Sequence, residues 1–336
     1  MRSHRKPDSF NRKEGIGTMD VVAIGETLLS LTPAENGLLR HAESLKPKVA
    51  GAETNTLIGL SRLGHRTGWI SAVGNDEIGE RIVATVRGEG IDTAHVKKDE
   101  EHNTGIFFKE IIGGGEVRVQ YFRARSAASH MEPADLPASY IRSAKYLYIT
   151  GITPALSETC NQMIFEAIKL ARESGVRVVF DPNLRRKLWG EEEARTTLTS
   201  LCELSDIVLI GGTEGNFLFG TTETDEIAHR LFKSPQTGLV VVKKGARGAA
   251  YALRGREAFQ VEPYPVTNVV DPVGAGDGFA AGFLSGMLHG LKTEESVRMG
   301  CAVGAMVTMV SGDYEGMPDE RRLHSFLSRD REDIER

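Results

Sequence analysis

Residues 269–286 read VVDPVGAGDGFAAGFLSG: a β-branched pair, a glycine-rich turn carrying two aspartates, then a run of small and apolar residues. The pattern predicts a strand ending at Val269 and Val270, a turn over 271–276 and a helix from Gly278 onward. Gly282 and Gly286, four apart, would let another element pack closely on that helix. The first amides of a helix have no intrahelical partner and sit at the positive end of its dipole, so they suit a phosphate or another oxyanion. Glycines at 274 and 276 allow the backbone to curl until several N–H groups converge on one point. A strand-to-helix turn built this way belongs to an α/β protein.

The rest of the chain agrees. Short β-branched runs at 21–24, 67–73, 145–150, 176–180, 207–210 and 239–243 alternate with segments of helical period. In one such segment, 158–174, apolar residues recur at Cys160, Met163, Ile164, Ala167, Ile168 and Ala171 before Gly175 ends it. Strands spaced by helices imply βαβ units and a mostly parallel sheet covered on both faces, a three-layer α/β/α sandwich. Two regions, 28–49 and 104–123, break the rhythm with short alternating runs, the second around a Gly-Gly-Gly turn at 113–115. They read as a small antiparallel β lid inserted into one domain spanning 19–330. Residues 1–18 are polar and basic, without an apolar core, and are expected to be a disordered tail or sequence upstream of a start at Met19.

Composition narrows the function. The 336 residues are 40% hydrophobic and 26% charged, enough to bury a full core, and no apolar run reaches the length of a membrane span. A net charge of −5 without a basic stripe argues against nucleic acid. Three widely spaced cysteines fit a reducing compartment, so the cytoplasm is the expected location. The histidines show no metal-ligand spacing.

The turn at 271–276 is neither a Walker loop, which ends in Gly-Lys-Ser/Thr, nor a dinucleotide fingerprint, since Phe279 stands where a third glycine belongs. It also lies late in the chain rather than in the first βα turn. Asp277 asks for a separate explanation, because a carboxylate beside an anion site repels the anion. Phosphoryl transfer gives it a role: it can aim an acceptor hydroxyl at the γ-phosphorus and take the proton as the bond forms. From its type alone its pKa is expected near 3.9, or lower beside a helix N-terminus. The plainer alternative is a helix-capping aspartate.

The string DPVGAGDGFAAG resembles the C-terminal signature of the ribokinase/PfkB family of carbohydrate kinases, and AGAETNTLIGLSRLG, residues 50–64, resembles its N-terminal one. The similarity runs in order from about Asp20 to about Pro318. It implies a ribokinase-like sandwich with a β lid, and transfer from ATP with Mg2+ to a sugar hydroxyl, with K+ as a potential further cation. Within it, Asp277 would be the catalytic base and Gly274, Ala275 and Gly276 the anion hole. Asp271 would organise the loop and its cations. Glu214, in DIVLIGGTEGNF, matches the glutamate of the family's Asn-x-x-Glu motif, which acts through metal-bound water, although Gly211 replaces the asparagine. Lys243, Gly245 and Gly248 would lie near the nucleotide's phosphates or ribose, and Ala302, Ala305 and Gly312 near its base.

Two arginines suggest the acceptor. VQYFRARSAAS (119–129) follows the lid hairpin and FDPNLRRKLW (180–189) ends a parallel strand, and both resemble the family branch that acts on 2-keto-3-deoxygluconate. Arg123 and Arg185 would hold a sugar carboxylate, as guanidinium forks do. Tyr121 would support them, Gly51 and Asn55 would meet sugar hydroxyls, and Phe107 would line the pocket. The expected reaction is phosphorylation of 2-keto-3-deoxygluconate at its 6-hydroxyl. Other readings are a kinase for fructose, ribose, tagatose or 5-dehydro-2-deoxygluconate, a nicotinamide-dependent oxidoreductase, or a non-catalytic sugar-binding regulator. A homodimer formed through the exposed lid edge is the expected assembly.

Overall fold

The computed structural model describes residues 18–35, 37–112, 116–266 and 268–334, so the 1–17 segment and the glycine turn at 113–115 lie outside the described residues. Nine strands form the large sheet, in the spatial order Phe259–Val261, Ala249–Leu253, Leu239–Lys243, Ile207–Gly211, Arg177–Asp181, Tyr146–Thr150, Val21–Ile24, Thr67–Gly74 and Asp92–Asp99. Every pair from Leu239–Lys243 to Asp92–Asp99 is parallel, and the two strands beyond Leu239–Lys243 are antiparallel.

The β-branched runs become the buried strands because their residues meet a core on both faces. In Val21–Ile24, Val22 and Ile24 point into one core and Val21 and Ala23 into the other, all without exposed surface. The helix Glu158–Glu173 closes the first core with the six apolar residues expected of it, and Ser157 caps it by accepting from the Cys160 amide. The helices Ala52–Arg62 and Ala275–Leu288 close the second. These two cores, with the sheet between them, make the three-layer sandwich.

Three strands escape sequence reading: the sheet's two edges and the strand next to one of them. Asp92–Asp99 (DTAHVKKD) is polar because one edge faces water, and Ala249–Leu253 (AAYAL) has few β-branched residues. The short Phe259–Val261 is the other edge. The reverse error occurs at Val269 and Val270, which are not in a strand. They are 57% and 52% exposed, and the amides of Val270 and Asp271 donate to the carbonyl of Thr308 at a helix end instead. Here Pro263 and Pro265, lacking N–H groups, follow the edge strand and lead the chain off the sheet.

A second sheet of four strands, in the order Leu45–Ala50, Leu28–Pro33, Ile106–Ile112, Glu116–Phe122, forms the lid. Its outer pairs are antiparallel, and where the two hairpins meet, Leu29–Leu31 runs parallel to Ile106–Phe108. One lid face buries Leu28, Ala50 and Phe107 with Val119 and Tyr121 packed on them. On strand Glu116–Phe122, Phe122 is 52% exposed.

The chain winds outward from Val21–Ile24 in both directions, first through Thr67–Gly74 and later through Tyr146–Thr150. A switch of this kind opens a crevice at the carboxyl ends of the strands.

Candidate active site

A cleft of about 1050 Å³ lies there, walled by strand ends and loops of the body and by the inner face of the lid. Its floor is the start of the helix Ala275–Leu288. That helix begins three residues earlier than its sequence suggests, with Gly274 as its N-cap at φ +81°. A side chain at 274 is doubly excluded, since a Cβ would also lie 2.0 Å from the Asp313 carbonyl oxygen. Gly276 faces the cleft, where a Cβ would meet only the Lys243 ammonium at 3.7 Å. Farther along, a Cβ at Gly282 would meet the Met299 carbonyl at 2.6 Å, and one at Gly286 the Ser296 Cα at 2.7 Å, which explains their spacing: the helix Thr293–Thr308 packs on them.

Asp277 is the third residue of the helix, 8% exposed, and lines the cleft. Asn55, in the first turn of Ala52–Arg62, donates from Nδ2 to Asp277 Oδ2 at 2.8 Å and is itself 3% exposed. Two helix starts, 222 residues apart in sequence, thus meet at one carboxylate. Burial pushes that carboxyl up to about 7; Asp181 adds to the rise, while the Asn55 amide, Arg185 and Lys243 oppose it. The low pKa expected from the residue type is therefore corrected. A helix dipole contributes only about 0.3–1 kcal/mol, whereas desolvation of a buried carboxylate can raise its pKa by several units. A carboxyl near 7 suits general-base work far better than one near 3.9.

Also in the cleft stands an ion pair of which the sequence singles out only Lys243. Asp181 ends its strand 1% exposed, and Lys243 Nζ donates to its Oδ2 at 2.5 Å. Burial pushes the Asp181 carboxyl up and Lys243 pulls it back. Burial also disfavours the Lys243 charge, but Asp181 and Glu214 outweigh it and hold the ammonium above its ordinary value. Glu214 accepts from the amides of Gly211 at 2.7 Å and Leu184 at 2.9 Å, so it fastens the 184–186 loop to the start of its own helix. Gly245 also lines the cleft. Gly248 closes a hairpin at φ +78°, and Gly312 donates its amide to Asp271. Ala302 has no exposed surface and packs with Val303, Met306 and Met317, while Ala305 is partly buried on the same helix.

The lid supplies Phe107, Tyr121 and Arg123 to the cleft, and Gly51 and Arg185 join them from the body. The Phe107 and Tyr121 rings lie 5.5 Å apart, tilted by 43°, and the Arg123 guanidinium lies 5.5 Å from the Tyr121 ring centre. Arg123 is not a free cation. It is 8% exposed, and its Nε donates to Glu26 Oε2 at 2.6 Å, with Ser126 Oγ on the other oxygen. Arg185 is exposed, and among the described residues no carboxylate pairs with it. Glu26, Lys109, Asp181 and Asp313 line the cleft and were not flagged by sequence. For Asp181 a signal exists: an acid at the carboxyl end of a central parallel strand.

Among the described residues no group of three or more His, Cys, Asp or Glu is placed to hold a metal ion. No helix among them is long and apolar enough to cross a membrane. The cleft thus combines an open helix N-terminus, a near-neutral buried carboxyl and a cationic wall, which equips it to receive an anionic phosphoryl donor and deprotonate an alcohol.

Comparison with known proteins agrees. The chain is 37% identical over 315 residues to the 2-dehydro-3-deoxygluconokinase of Bacillus subtilis, covering 93% of this chain and 97% of that one. It is 34% identical to the 2-dehydro-3-deoxygluconokinase of Thermoproteus tenax, covering 92% and 94%. The crystal structure of a PfkB protein from Polaromonas sp. JS666 superposes with a TM-score of 0.83 at 38% identity, covering 91% of this chain and 99% of that one. The family model for pfkB family carbohydrate kinases matches residues 18–320, and with a fold, a cleft and an acid that fit phosphoryl transfer, the chain belongs to that family.

Proposed function

We propose that the protein transfers the γ-phosphoryl group of ATP to the terminal hydroxyl of 2-keto-3-deoxygluconate, giving the 6-phosphate and ADP. The observation that carries this reading is the Asn55–Asp277 contact at the mouth of an open helix N-terminus. The acceptor oxygen attacks the γ-phosphorus, its proton passes to an Asp277 carboxylate oxygen, and the bond to the β-phosphate oxygen breaks as ADP leaves. Asn55 fixes the carboxylate's rotation, and the amides at Gly274–Gly276 face the charge on the transferred group. Lys243, held to Asp181, contributes positive charge on the donor side.

A kinase of this family works with ATP and Mg2+. Mg2+ binds mostly through phosphate oxygens and water, which fits a cleft with scattered carboxylates rather than a protein cage. Asp181, whose buried Oδ1 has no well-formed hydrogen bond, and Glu214 would hold it through water, and bound Mg2+ would neutralise phosphate charge. Asp271 contributes differently, since unlike Glu214 it is not among the residues lining the cleft and one of its oxygens is held by the Lys109 ammonium.

Support for a sugar acid comes from Arg185, exposed in the cleft and in no salt bridge among the described residues, and from the names of the relatives. Arg123, already joined to Glu26, presents its remaining N–H groups and the Tyr121 ring rather than a free charge. The experiment is ADP release over a panel containing 2-keto-3-deoxygluconate, 5-dehydro-2-deoxygluconate, fructose, ribose and tagatose. Turnover highest with the first supports the proposal; a neutral sugar as the best acceptor overturns it. A homodimer belongs to the same reading. The lid strands Leu45–Ala50 and Glu116–Phe122 each pair on one side only among the described residues, and sedimentation at micromolar concentration checks for the second copy.

A further inference from the structure

Lys109 lies on the lid strand Ile106–Ile112, yet it is 4% exposed and points into the body. Its Nζ donates to Asp271 Oδ2 at 2.7 Å and to Asp313 Oδ1 at 3.4 Å. Asp271 is 3% exposed and gathers the chain around it: Oδ1 accepts from the Val273 amide at 3.1 Å and Oδ2 from the Gly312 amide at 3.3 Å. The Asp313 carbonyl in turn lies where a Gly274 side chain would be. One lid ammonium therefore sits at the centre of both segments that shape the helix N-terminus. Burial works against its charge, but Asp313 and Asp271 outweigh burial and hold it ionised. A second lid lysine, Lys48, donates to the Ser311 carbonyl and pairs with Glu315, both at 2.9 Å, at a more exposed point of the same seam.

We propose that Lys109 is a positioning residue for phosphoryl transfer: a monovalent cation carried by the lid, which gives the 271–276 loop its working shape when the lid is down. This rests on the reading of that loop as the receiver of the transferred group. A buried carboxylate, Asp271, and a partly buried one, Asp313, repel without a cation between them, and a buried charge left without its partner is costly. Lifting the lid withdraws the ammonium, so Asp271 turns toward water and releases the Val273 and Gly312 amides. Lid closure and formation of the anion hole are then a single event. ATP bound under an open lid meets an unfinished loop, which protects it from hydrolysis. A built-in ammonium at Asp271 also replaces any dissolved cation there, so turnover needs no K+.

Three measurements test this. Wild-type turnover in sodium, potassium and tetramethylammonium chloride at equal ionic strength should agree within about twofold, and a tenfold requirement for K+ overturns the proposal; this arm needs no variant. Lys109→Ala should lose turnover by about 100-fold, the scale of a displaced reacting geometry, while its ATP affinity by calorimetry stays within about threefold. Ammonium or methylammonium should restore part of the loss in the variant and leave the wild type unchanged. Unaltered turnover, or a loss in a folded variant that no small ammonium ion relieves, overturns it. Amide exchange without nucleotide or sugar separates this idea from the kinase reading. In Lys109→Met the Val273 and Gly312 amides should exchange at least about tenfold faster, with those of Val21–Ile24 unchanged. Equal rates at Val273 and Gly312 overturn the role of Lys109 whatever the substrate proves to be.

Discussion

Asp277 shows how burial sets chemistry at a single residue. In the folded protein its pKa is raised to about 7, against an ordinary 3.8, because the chain removes it from water. Between those values the folded state binds more protons than the unfolded one, so this group lowers stability as pH rises from about 4 to 7. Activity runs the other way, since a base must be ionised: kcat/KM should climb with pH through an apparent pKa near 7 in the free enzyme. Asp277→Asn should cost about 10³-fold or more in turnover. At pH 8 the same variant should melt higher than the wild type, because it no longer buries a charge and still accepts from Asn55. A lower melting temperature at pH 8 would show that burial of this carboxylate is not a cost. Arg185→Ala should raise KM for a sugar acid by about 10- to 100-fold, in line with a lost charge-assisted hydrogen bond. It should leave any neutral acceptor within about twofold, which steady-state kinetics on both classes will show. Arg123 should behave differently. Arg123→Ala strands the Glu26 carboxylate, 3% exposed, and should destabilise the fold by about 3–5 kcal/mol in urea titration.

Among the elements, the pair Ala275–Leu288 and Thr293–Thr308 governs the site. Gly282 and Gly286 let the two backbones come close, and the closeness holds the first helix at an angle that aims its N-terminus into the cleft. Gly282→Val would push against the Met299 carbonyl and Val303, and should cost about 1–3 kcal/mol. Because the helix carries Asp277, turnover should fall along with stability, so activity measured well below the melting temperature should still be reduced. The lid is the second decisive element. Its inner face brings Phe107 and Tyr121 over the cleft, and its strands send Lys48 and Lys109 into the 311–315 and 271–274 segments.

At the scale of the whole molecule, the sheet works as a frame whose switch point fixes where loops can converge. One wall of the cleft comes from the ends of Arg177–Asp181, Ile207–Gly211 and Leu239–Lys243, which the proposed reaction gives to the donor apart from Arg185, and the other from Ala52–Arg62 and the lid, which it gives to the acceptor. Ligands that bridge the two sides should therefore stabilise the fold together. ATP and sugar acid each at about 100 times Kd should each add about 2.7 kcal/mol, read as a rise in melting temperature. A sugar that gives no rise is not the acceptor.

The sequence by itself determined the central strands, the helix Glu158–Glu173, the two lid segments with a hairpin in the second, and the glycine turn that leads to Asp277, because each is written in local periodicity or in a residue type that only one backbone geometry accepts. It singled out Asp277 and Asn55 as candidates, since both sit in strings that resemble a known family, and the fold joins the two side chains. Only the tertiary structure decided the edge strand Asp92–Asp99, whose half-solvated positions carry no clear apolar pattern, the buried but alanine-rich Ala249–Leu253, and the loose course of Val269 and Val270, where Thr308 takes the hydrogen bonds a sheet would have taken. It alone decided the charges: Arg123 is spent on Glu26, Lys243 on Asp181, Lys109 on Asp271, and Asp277 is lifted toward neutrality. Local sequence fixes which dihedrals are available, whereas the dielectric around a carboxyl and the identity of its partner depend on residues that folding brings from hundreds of positions away.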